Sequence, residues 1–548
     1  MRKEERVRKT VPYFLQVLVF GVFAANLQAE DLLKVTVVNN SDDYSDDQVY
    51  VQMVGTDPNG SGKLGYVNLD TSAWTASALS DNTVTAPGGP WPYKFTDYSK
   101  KLTELKSEGP HAWSFQMPHI ISGRVYISFE KPAYFHVNAG PALAYPSALN
   151  SNLPNYSIVF DKIELDWQNG QLPFMNTTTV DFFSISFKLE LKDSGTSLGQ
   201  AGFTKTRKAI MDELTALASP WQNCVVKNSG NAVVRFVAPQ LLSDPNPFAN
   251  YFDSYINDVY TYYKTNVLTL GNLPDVETWS ATGQVDGSGI FIFTVDGTGE
   301  TVTIDNLVGQ GKHIFGCDGA GYLFTTGSDS IQRQGIIRQM GAALNRSVLY
   351  NIKDSSTWWG DPANFYNQTI TNHYSKILHE GSYKGYCYGF PYDDVGHYDT
   401  GITGNATEAI ITIQSMSAGG SPIGQLYPVD LTLNKSAFSA TDTISLTANV
   451  EHISTPFYPA IWIETPGGQN LYYERGKGFH SSPIPYLGMT PVVVNTPISG
   501  YPIATNVRFR AAPGIYYINA AAVDAAQTTS ASNIVYIDDI ERVQATVQ

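Results

Sequence analysis

Residues 155–188 read NYSIVFDKIELDWQNGQLPFMNTTTVDFFSISFK, and the rest of the chain can be understood from this stretch. Two runs rich in β-branched and aromatic residues are separated by a polar loop at 168–171 that contains a glycine. Such a pattern predicts two strands joined by a turn. Each predicted strand carries a carboxylate, Glu164 in the first and Asp181 in the second.

The two acids are expected to have different surroundings, because residues two apart point to the same face of a strand. Glu164 shares its face with Lys162 and Asp166, which makes that face polar. Asp181 is in phase with Phe183 and the apolar residues after it, so it interrupts an apolar row at its leading end. A buried charge needs a partner or a functional role.

Paired acids in unlike environments fit the chemistry of glycoside hydrolysis. One carboxyl stays protonated and assists the leaving oxygen, while the other is ionised and activates water. The alternative is a pair of solvated surface acids, which is the more common reason for acids on neighbouring strands. The spacing alone does not decide between these two interpretations.

The segment around these acids resembles the catalytic segment of glycoside hydrolase family 64. It contains Glu164, a short polar loop, Asn176 and then TVDFFS at 179–184. The loop is one residue longer than the family pattern, which affects the loop contacts more than the acids. Members of this family are inverting β-1,3-glucanases with a thaumatin-like barrel lobe. The resemblance therefore implies that Glu164 is the general acid and Asp181 the general base.

The resemblance covers about residues 32–415, with further matches in KVTVVNN at 34–40, GRVYISFEKPAYFHV at 123–137 and YGFPYDDVG at 388–396. It implies a mainly β fold, with a thaumatin-like β-barrel or sandwich lobe and an inserted mixed α/β lobe that together form a cleft. Clefts of this kind are where ligands tend to bind.

Periodicity and composition divide the chain into five parts. Apolar positions recur at helical spacing in 204–218, 247–265, 329–344 and 361–379, whereas the residues beyond 425 show only strand and turn patterns. The predicted parts are a signal peptide (1–29), a β-barrel catalytic lobe (30–193 and 383–416), an α/β lobe (194–382), a linker (417–424) and an immunoglobulin-like β-sandwich (425–548).

The first 29 residues combine a basic start, an apolar run over 11–25 and a small-residue site at Ala29. This pattern predicts a cleaved signal peptide and hence a secreted, extracellular protein, with the periplasm as the alternative. A membrane anchor is the competing interpretation, but the apolar run is shorter than the ~20 residues that a span requires. Without these residues 30 basic and 48 acidic groups remain, a net charge of −18.

Such an acidic chain argues against nucleic acid and anionic membranes as partners. The cysteines Cys224, Cys317 and Cys387 are odd in number, so any disulfide within the chain leaves one thiol over. CxxC and HExxH motifs are absent from the sequence, which predicts neither a metal site nor a cofactor.

Seven further residues are candidates for substrate binding. Trp167 and Phe174 offer aromatic rings on which sugar faces pack, although Trp167 could equally belong to the barrel core. Asp394 could line the cleft, but an aspartate after a Pro-Tyr pair is more often a turn residue. The full set is Asp166, Trp167, Gln168, Phe174, Asn176, Thr178 and Asp394.

The function that follows from the resemblance is single-displacement, endo-type hydrolysis of β-1,3-glucan polysaccharide or oligosaccharide. Inversion requires carboxyl groups ~6.5–9.5 Å apart, so that a water fits between them. Two alternatives stay open: a non-catalytic β-glucan-binding protein of thaumatin-like shape, and a structural or adhesion protein that acts through its C-terminal sandwich. The sequence leaves the oligomeric state undetermined.

Overall fold

A computed structural model describes residues 32–41, 43–140, 142–271, 278–318, 330–349 and 355–416. Beyond these it describes 429–433, 437–438, 443–450, 453–466, 469–474, 478–480, 492–494, 498–508, 514–524 and 541–547. The predicted signal peptide and linker therefore lie outside the described residues. The chain divides into two compact units, the first built mainly from Tyr44–Gly202 and Glu213–Thr412 and the second mainly from the residues after Thr412.

The first unit is dominated by β-structure. Fifteen strands precede the first α-helix in the described part of the chain: β1 (Leu32–Asn39), β2 (Val49–Thr56), β3 (Leu64–Asn68), β4 (Ala73–Ala76), β5 (Lys100–Lys101), β6 (Lys106–Gly109), β7 (Ala112–Pro118), β8 (Ile120–Phe129), β9 (His136–Asn138), β10 (Ala142–Ala144), β11 (Phe160–Trp167), β12 (Phe174–Asn176), β13 (Phe182–Phe183), β14 (Phe187–Asp193) and β15 (Thr196–Gly202).

The next part of the chain contains both helices and strands. They are α1 (Arg207–Thr215), β16 (Val225–Lys227), β17 (Val233–Val237), α2 (Asp253–Tyr263), β18 (Leu268–Gly271), β19 (Ser280–Val285), β20 (Phe291–Val295), β21 (Thr301–Ile304), α3 (Gly311–Gly316), α4 (Ile331–Asn345), α5 (His373–Glu380), β22 (Ile402–Thr403) and β23 (Glu408–Ile413). The chain is thus mainly β with few helices, as the sequence predicted at this coarser level.

Two larger sheets form the β lobe. One has the order β15-β14-β23-β1-β7-β6, and the other has the order β22-β12-β11-β8-β2-β3-β4 with β5 beside β2. The first sheet includes β15, so it extends past the lobe boundary that the sequence analysis placed at residue 193. Strand β23 returns to this sheet after the helices, which places the helical segment between strands of the β lobe in sequence.

The predicted helices exist, but the last is much shorter than the periodicity indicated. Instead of one helix over 361–379, Asp361 caps a single 3-10 turn at Pro362–Asn364. Asn372 caps α5, because its side-chain oxygen accepts a hydrogen bond from the Ser375 backbone at 3.1 Å. Each cap satisfies backbone N–H groups that only a helix start leaves open, so two separate starts replace one long helix.

The strand predicted around Asp181 also differs from the observed one. Strand β13 contains only Phe182 and Phe183 and pairs with β17, while Asp181 lies just before it. The partners of β11 are instead β8 and β12. Glu164 therefore faces Arg124 and Asn176 across the sheet, and the two acids are not carried by one antiparallel pair.

The second unit includes Phe203–Asp212, which holds the first part of α1, and in its C-terminal region the described residues form only strands. They are β24 (Val429–Leu433), β25 (Ala437–Phe438), β26 (Thr443–Val450), β27 (Ile453–Glu464), β28 (Asn470–Glu474), β29 (Gly478–His480), β30 (Val492–Val494), β31 (Ile498–Arg508), β32 (Gly514–Asp524) and β33 (Glu541–Val547). They form one three-stranded and one seven-stranded sheet. None of the helices described is both long and apolar enough to cross a membrane.

Candidate active site

Glu164 lies near the middle of β11 and is largely buried, with 9% of its surface exposed. Its Oε1 is 3.4 Å from Nη2 of Arg124, the residue directly opposite on β8. The guanidinium of Arg124 in turn stacks over the Tyr145 ring, 4.8 Å from its centroid. On the face that the sequence analysis identified as polar, Glu164 is therefore a largely buried acid paired with a cation rather than a solvated surface acid.

Asp181 has a different environment, because 46% of its side chain is exposed. Its Oδ2 accepts a hydrogen bond from Nζ of Lys162 at 3.1 Å. The positive charge of Lys162 is the main reason that the pKa of Asp181 lies below its ordinary value; the hydrogen bond and Arg124 act in the same direction, and partial burial opposes them. Asp181 is thus an accessible carboxylate that is kept ionised.

The backbone around Asp181 is fixed by residues from the helical part of the unit. The Thr179 carbonyl accepts a hydrogen bond from the Tyr374 hydroxyl at 2.6 Å, and the Asp181 carbonyl accepts one from the Ala238 backbone at 2.8 Å. Between them, the Val180 carbonyl is bound by the Gln240 side chain at 2.8 Å. Three successive carbonyls are therefore held, which sets the direction of the Asp181 side chain.

A second buried carboxylate, Asp161, joins the two acid-bearing segments. It precedes Lys162 on β11, and its Oδ2 accepts hydrogen bonds from the backbone N–H groups of Ser184 at 2.8 Å and Ile185 at 3.0 Å. Burial raises the pKa of Asp161 to about 6, against the effect of Lys162 and of these backbone donors. Asp161 is only 1% exposed, so it serves as an internal clamp rather than a ligand contact.

Asp181 and Glu164 both interact electrostatically with Lys162. Burial lowers the pKa of Lys162, but the negative charges of Asp181 and then Glu164 outweigh it and raise that pKa overall. Arg124 likewise interacts with Glu164 and Asp181. The structure therefore brings the two predicted acids into one site, linked by two cations.

Three of the predicted substrate contacts extend the site along the sheet. Phe174 lies opposite Asp166 on β12 and is half-buried. Asp166 accepts hydrogen bonds from the Ser122 backbone at 3.1 Å and from the Gln168 side chain at 2.8 Å. Asp166 and Gln168 thus hold each other beside the ring of Phe174.

The other predicted contacts near the acids are buried. Trp167 is 3% exposed, and its indole N–H donates to the Gln171 carbonyl at 3.1 Å, which favours the core alternative over sugar stacking. Asn176 and Thr178 are each 3% exposed. Asn176 lies opposite Glu164, and in the described part of the chain no group donates a hydrogen bond to its buried Oδ1.

Asp394 approaches the site from the 388–396 segment. Its Oδ2 is 3.4 Å from Nη2 of Arg338, and 30% of its side chain is exposed. Burial raises the pKa of Tyr388 in the same segment, and the negative charges of Asp394 and Glu164 act in the same direction. The neighbouring Asp393 is fully buried and binds Arg346 at 2.9 Å, which makes it a structural residue.

Sequence reasoning missed the residues that position the acids. From the sequence, Lys162 was identified only as a charged residue on the same strand face as Glu164, because its ion-pair partner Asp181 is 19 residues away in the chain. Arg124 and Tyr374 gave no signal, because their contacts with Glu164 and Thr179 depend on strand order and lobe packing. A lysine in phase with an acid on a strand is the one pattern that would have pointed to Lys162.

Comparison with known proteins identifies the family to which this chain belongs. The family model of the β-1,3-glucanases, glycoside hydrolase family 64, matches residues 31–413. This chain belongs to that family. Its fold is similar to that of a β-1,3-glucanase domain of the same family from Clostridium beijerinckii, with 30% identity, a TM-score of 0.58, and coverage of 70% of this chain and 98% of that domain.

Two further relatives are also β-1,3-glucan-cleaving enzymes. A laminaripentaose-producing β-1,3-glucanase, solved in complex with laminaritetraose, is 26% identical with a TM-score of 0.59, over 71% of this chain and 99% of that one. A glucan endo-1,3-β-glucosidase from Cellulosimicrobium cellulans is 24% identical over 306 residues, which are 56% of this chain and 54% of that protein. This chain therefore spans about half the length of that relative.

Proposed function

We propose that this protein is a glycoside hydrolase that cleaves β-1,3-glucan, with Glu164 as general acid and Asp181 as general base. The observation that carries the proposal is the contrast between the two carboxyl groups. Asp181 is open to water and held ionised by Lys162, as a base that activates water requires, whereas Glu164 is nearly closed to solvent. Family membership supports the substrate class.

The proposed mechanism is a single displacement. Glu164 donates a proton to the glycosidic oxygen, while Asp181 removes a proton from a water that attacks the anomeric carbon from the opposite face. The bond to the leaving sugar breaks as the bond to water forms, so the anomeric configuration inverts. Because Glu164 lies on β11 whereas Asp181 lies just before β13, which does not pair with β11, the gap between the two acids is not limited to the spacing of one strand pair.

The relative solved with laminaritetraose supports a linear β-1,3-linked oligosaccharide or polymer as the substrate. In this proposal Phe174, Asp166 and Gln168 contact sugar units next to the acids, and Asp394 contacts the sugar from the 388–396 segment. A β-1,3-glucan hydroxyl that donates to Asn176 Oδ1 would supply the donor that this acceptor lacks among the described residues.

The finer fold and the location are parts of the same proposal. We infer a thaumatin-like barrel lobe for the two larger sheets and an immunoglobulin-like sandwich for 425–548, supported by the family and by the two sheets of the second unit. We also infer secretion after cleavage at Ala29, supported by the pattern of the first 29 residues. N-terminal sequencing of the exported protein would test the cleavage site.

The test of function is reducing-sugar release from a linear β-1,3-glucan by the wild-type protein, Glu164→Gln and Asp181→Asn. Both variants should lose several orders of magnitude in kcat, because each removes a proton-transfer group that acts in the same transition state. Glu190→Gln is a matched control, since Glu190 is also buried but pairs with Lys192 on β14. Its activity should be unchanged.

The product anomer tests the mechanism. Proton NMR in the first minutes of reaction should show the α-anomer, and an initial β-anomer would contradict inversion. An inactive wild-type protein that still binds the polymer would favour the alternative of a non-catalytic glucan-binding protein. Full activity in either folded variant would show that the corresponding acid has been misassigned.

A further inference from the structure

Lys162 is a buried cation with an unusual position. It precedes Glu164 by two residues on β11 and points to the same face, yet its amine reaches the half-exposed carboxylate of Asp181 at 3.1 Å. The lysine side chain itself is 3% exposed, and its amine lies 4.7 Å from the centroid of the Phe182 ring. A lysine enclosed in this way cannot exchange its partner for water without leaving a buried charge uncompensated.

The two acids are carried by separate parts of the unit. Glu164 is fixed by the ladder of the sheet that contains β8, β11 and β12. The backbone at 179–181 is instead bonded to Tyr374, Gln240 and Ala238. Strand pairing thus does not set the separation of the acids, whereas the ion pair between Lys162 and Asp181 joins one acid directly to the strand of the other.

Several other groups face Asp181 from neighbouring elements. Arg124 on β8 has a second, weaker effect on Asp181 through its positive charge, and Glu164 on β11 acts on Lys162, the partner of Asp181. The phenols of Tyr126 on β8 and Tyr374 on α5 also interact with Asp181. Among these groups Lys162 has the largest effect on Asp181 and donates a hydrogen bond to it.

We propose that Lys162 is a positioning residue for the reaction, which holds the Asp181 carboxylate in a fixed direction relative to Glu164 and keeps it ionised at the acid end of the working pH range. This inference rests on the proposed function, because it takes Asp181 as the base. Lys162 itself does not contact the reacting atoms; it acts through Asp181.

The experiment compares the pH dependence of kcat/KM for the wild type, Lys162→Met and Lys162→Arg. Loss of the charge should move the acidic limb of the profile upward by about one to three pH units, the range for removal of an adjacent opposite charge. kcat at the optimum should also fall by ~10- to 100-fold, because the base is no longer aligned. Lys162→Arg should restore most of the limb, since it keeps the charge.

Lys192→Met is the matched control, because Lys192 forms an ion pair with Glu190 at 3.4 Å on β14 and contacts neither Glu164 nor Asp181. Its acidic limb should stay at the wild-type position. Circular dichroism establishes that each variant is folded, and Lys162→Gln replaces Lys162→Met if the latter does not fold. A folded neutral variant whose limb and kcat match the wild type would overturn the proposal.

A direct titration separates this inference from the function on which it rests. Protein labelled with ¹³C at aspartate carboxyls gives a resonance for Asp181 that is assigned by its loss in Asp181→Asn. That resonance should titrate at higher pH in Lys162→Met than in the wild type, and equal midpoints would overturn the inference even in an active enzyme. Absence of glucan hydrolysis by the wild type would instead overturn the assignment of Asp181 as a base.

Discussion

Replacement of Asp161 by asparagine should change how the stability of this protein depends on pH. Asp161 is 1% exposed, and its carboxylate accepts three backbone hydrogen bonds, from Lys162 at 2.9 Å, Ser184 at 2.8 Å and Ile185 at 3.0 Å. Burial nevertheless raises its pKa from 3.8 to about 6. The folded protein therefore binds this proton more tightly than the unfolded chain does.

The sign of the effect follows from that difference. Between about pH 4 and pH 6 the folded state holds more protons at Asp161 than the unfolded state, so this group's contribution to the free energy of unfolding falls as the pH rises. A difference of about two pKa units corresponds to ~3 kcal/mol. The full amount is lost once the pH is above 6, and it is present below about pH 4.

Urea denaturation of the wild type and Asp161→Asn at pH 4 and pH 7.5 measures this contribution. The variant also loses an acceptor for one backbone N–H, which costs about 1–3 kcal/mol at every pH. The advantage of the wild type over the variant should therefore shrink by up to ~3 kcal/mol between the two pH values.

Asp97→Asn is the control for the loss of one carboxylate from the unfolded chain, because Asp97 is exposed and bonds only within its own turn. A wild-type advantage that stays constant with pH would refute the reasoning about burial. An advantage that grows with pH would show that Lys162 and the backbone donors outweigh burial at Asp161.

Two further predictions concern the alignment of the base and the sugar contacts. Tyr374→Phe removes the donor to the Thr179 carbonyl, two residues before Asp181, and should lower the free energy of unfolding by about 1–3 kcal/mol and reduce kcat. Urea denaturation and steady-state kinetics measure the two effects, and an unchanged free energy of unfolding together with an unchanged kcat would contradict the role of this bond. Phe174→Ala should raise KM for the glucan several-fold with little loss of stability. Trp167→Ala should instead lower the free energy of unfolding by about 3–5 kcal/mol, because Trp167 is a core residue. A KM that rises in Trp167→Ala and not in Phe174→Ala would reverse these assignments.

The local sequence predicted secondary structure correctly where the periodicity of apolar residues determines it. The alternation along 160–167 predicted β11, and the helical spacing in 329–344 predicted α4 to within two residues at its ends. The same rules failed over 361–379, because the caps at Asp361 and Asn372 divide a continuous apolar pattern into two starts. Periodicity describes which face is apolar and does not locate where backbone hydrogen bonding begins.

The candidate site shows the same limit. Alternation placed Asp181 inside a strand next to that of Glu164, but its neighbours at 179–181 bond to distant residues rather than to β11. Trp167 was an ambiguous candidate, because both a sugar platform and a core residue alternate in the same way along a strand. Its 3% exposure and the hydrogen bond from its indole N–H to the Gln171 carbonyl, which only the tertiary structure shows, favour the core.

The sequence by itself determined the mainly β class and the division into a family-like region and a C-terminal strand-rich region, and it predicted Glu164 and Asp181 as the two acids through motifs that are contiguous in the chain. Tertiary structure alone decided that Lys162 binds Asp181, that Arg124 binds Glu164 and that Asp161 clamps the two segments. The physical reason is that a charge interacts with whatever lies within a few ångströms of it, and strand order and lobe packing, rather than sequence spacing, fix those neighbours.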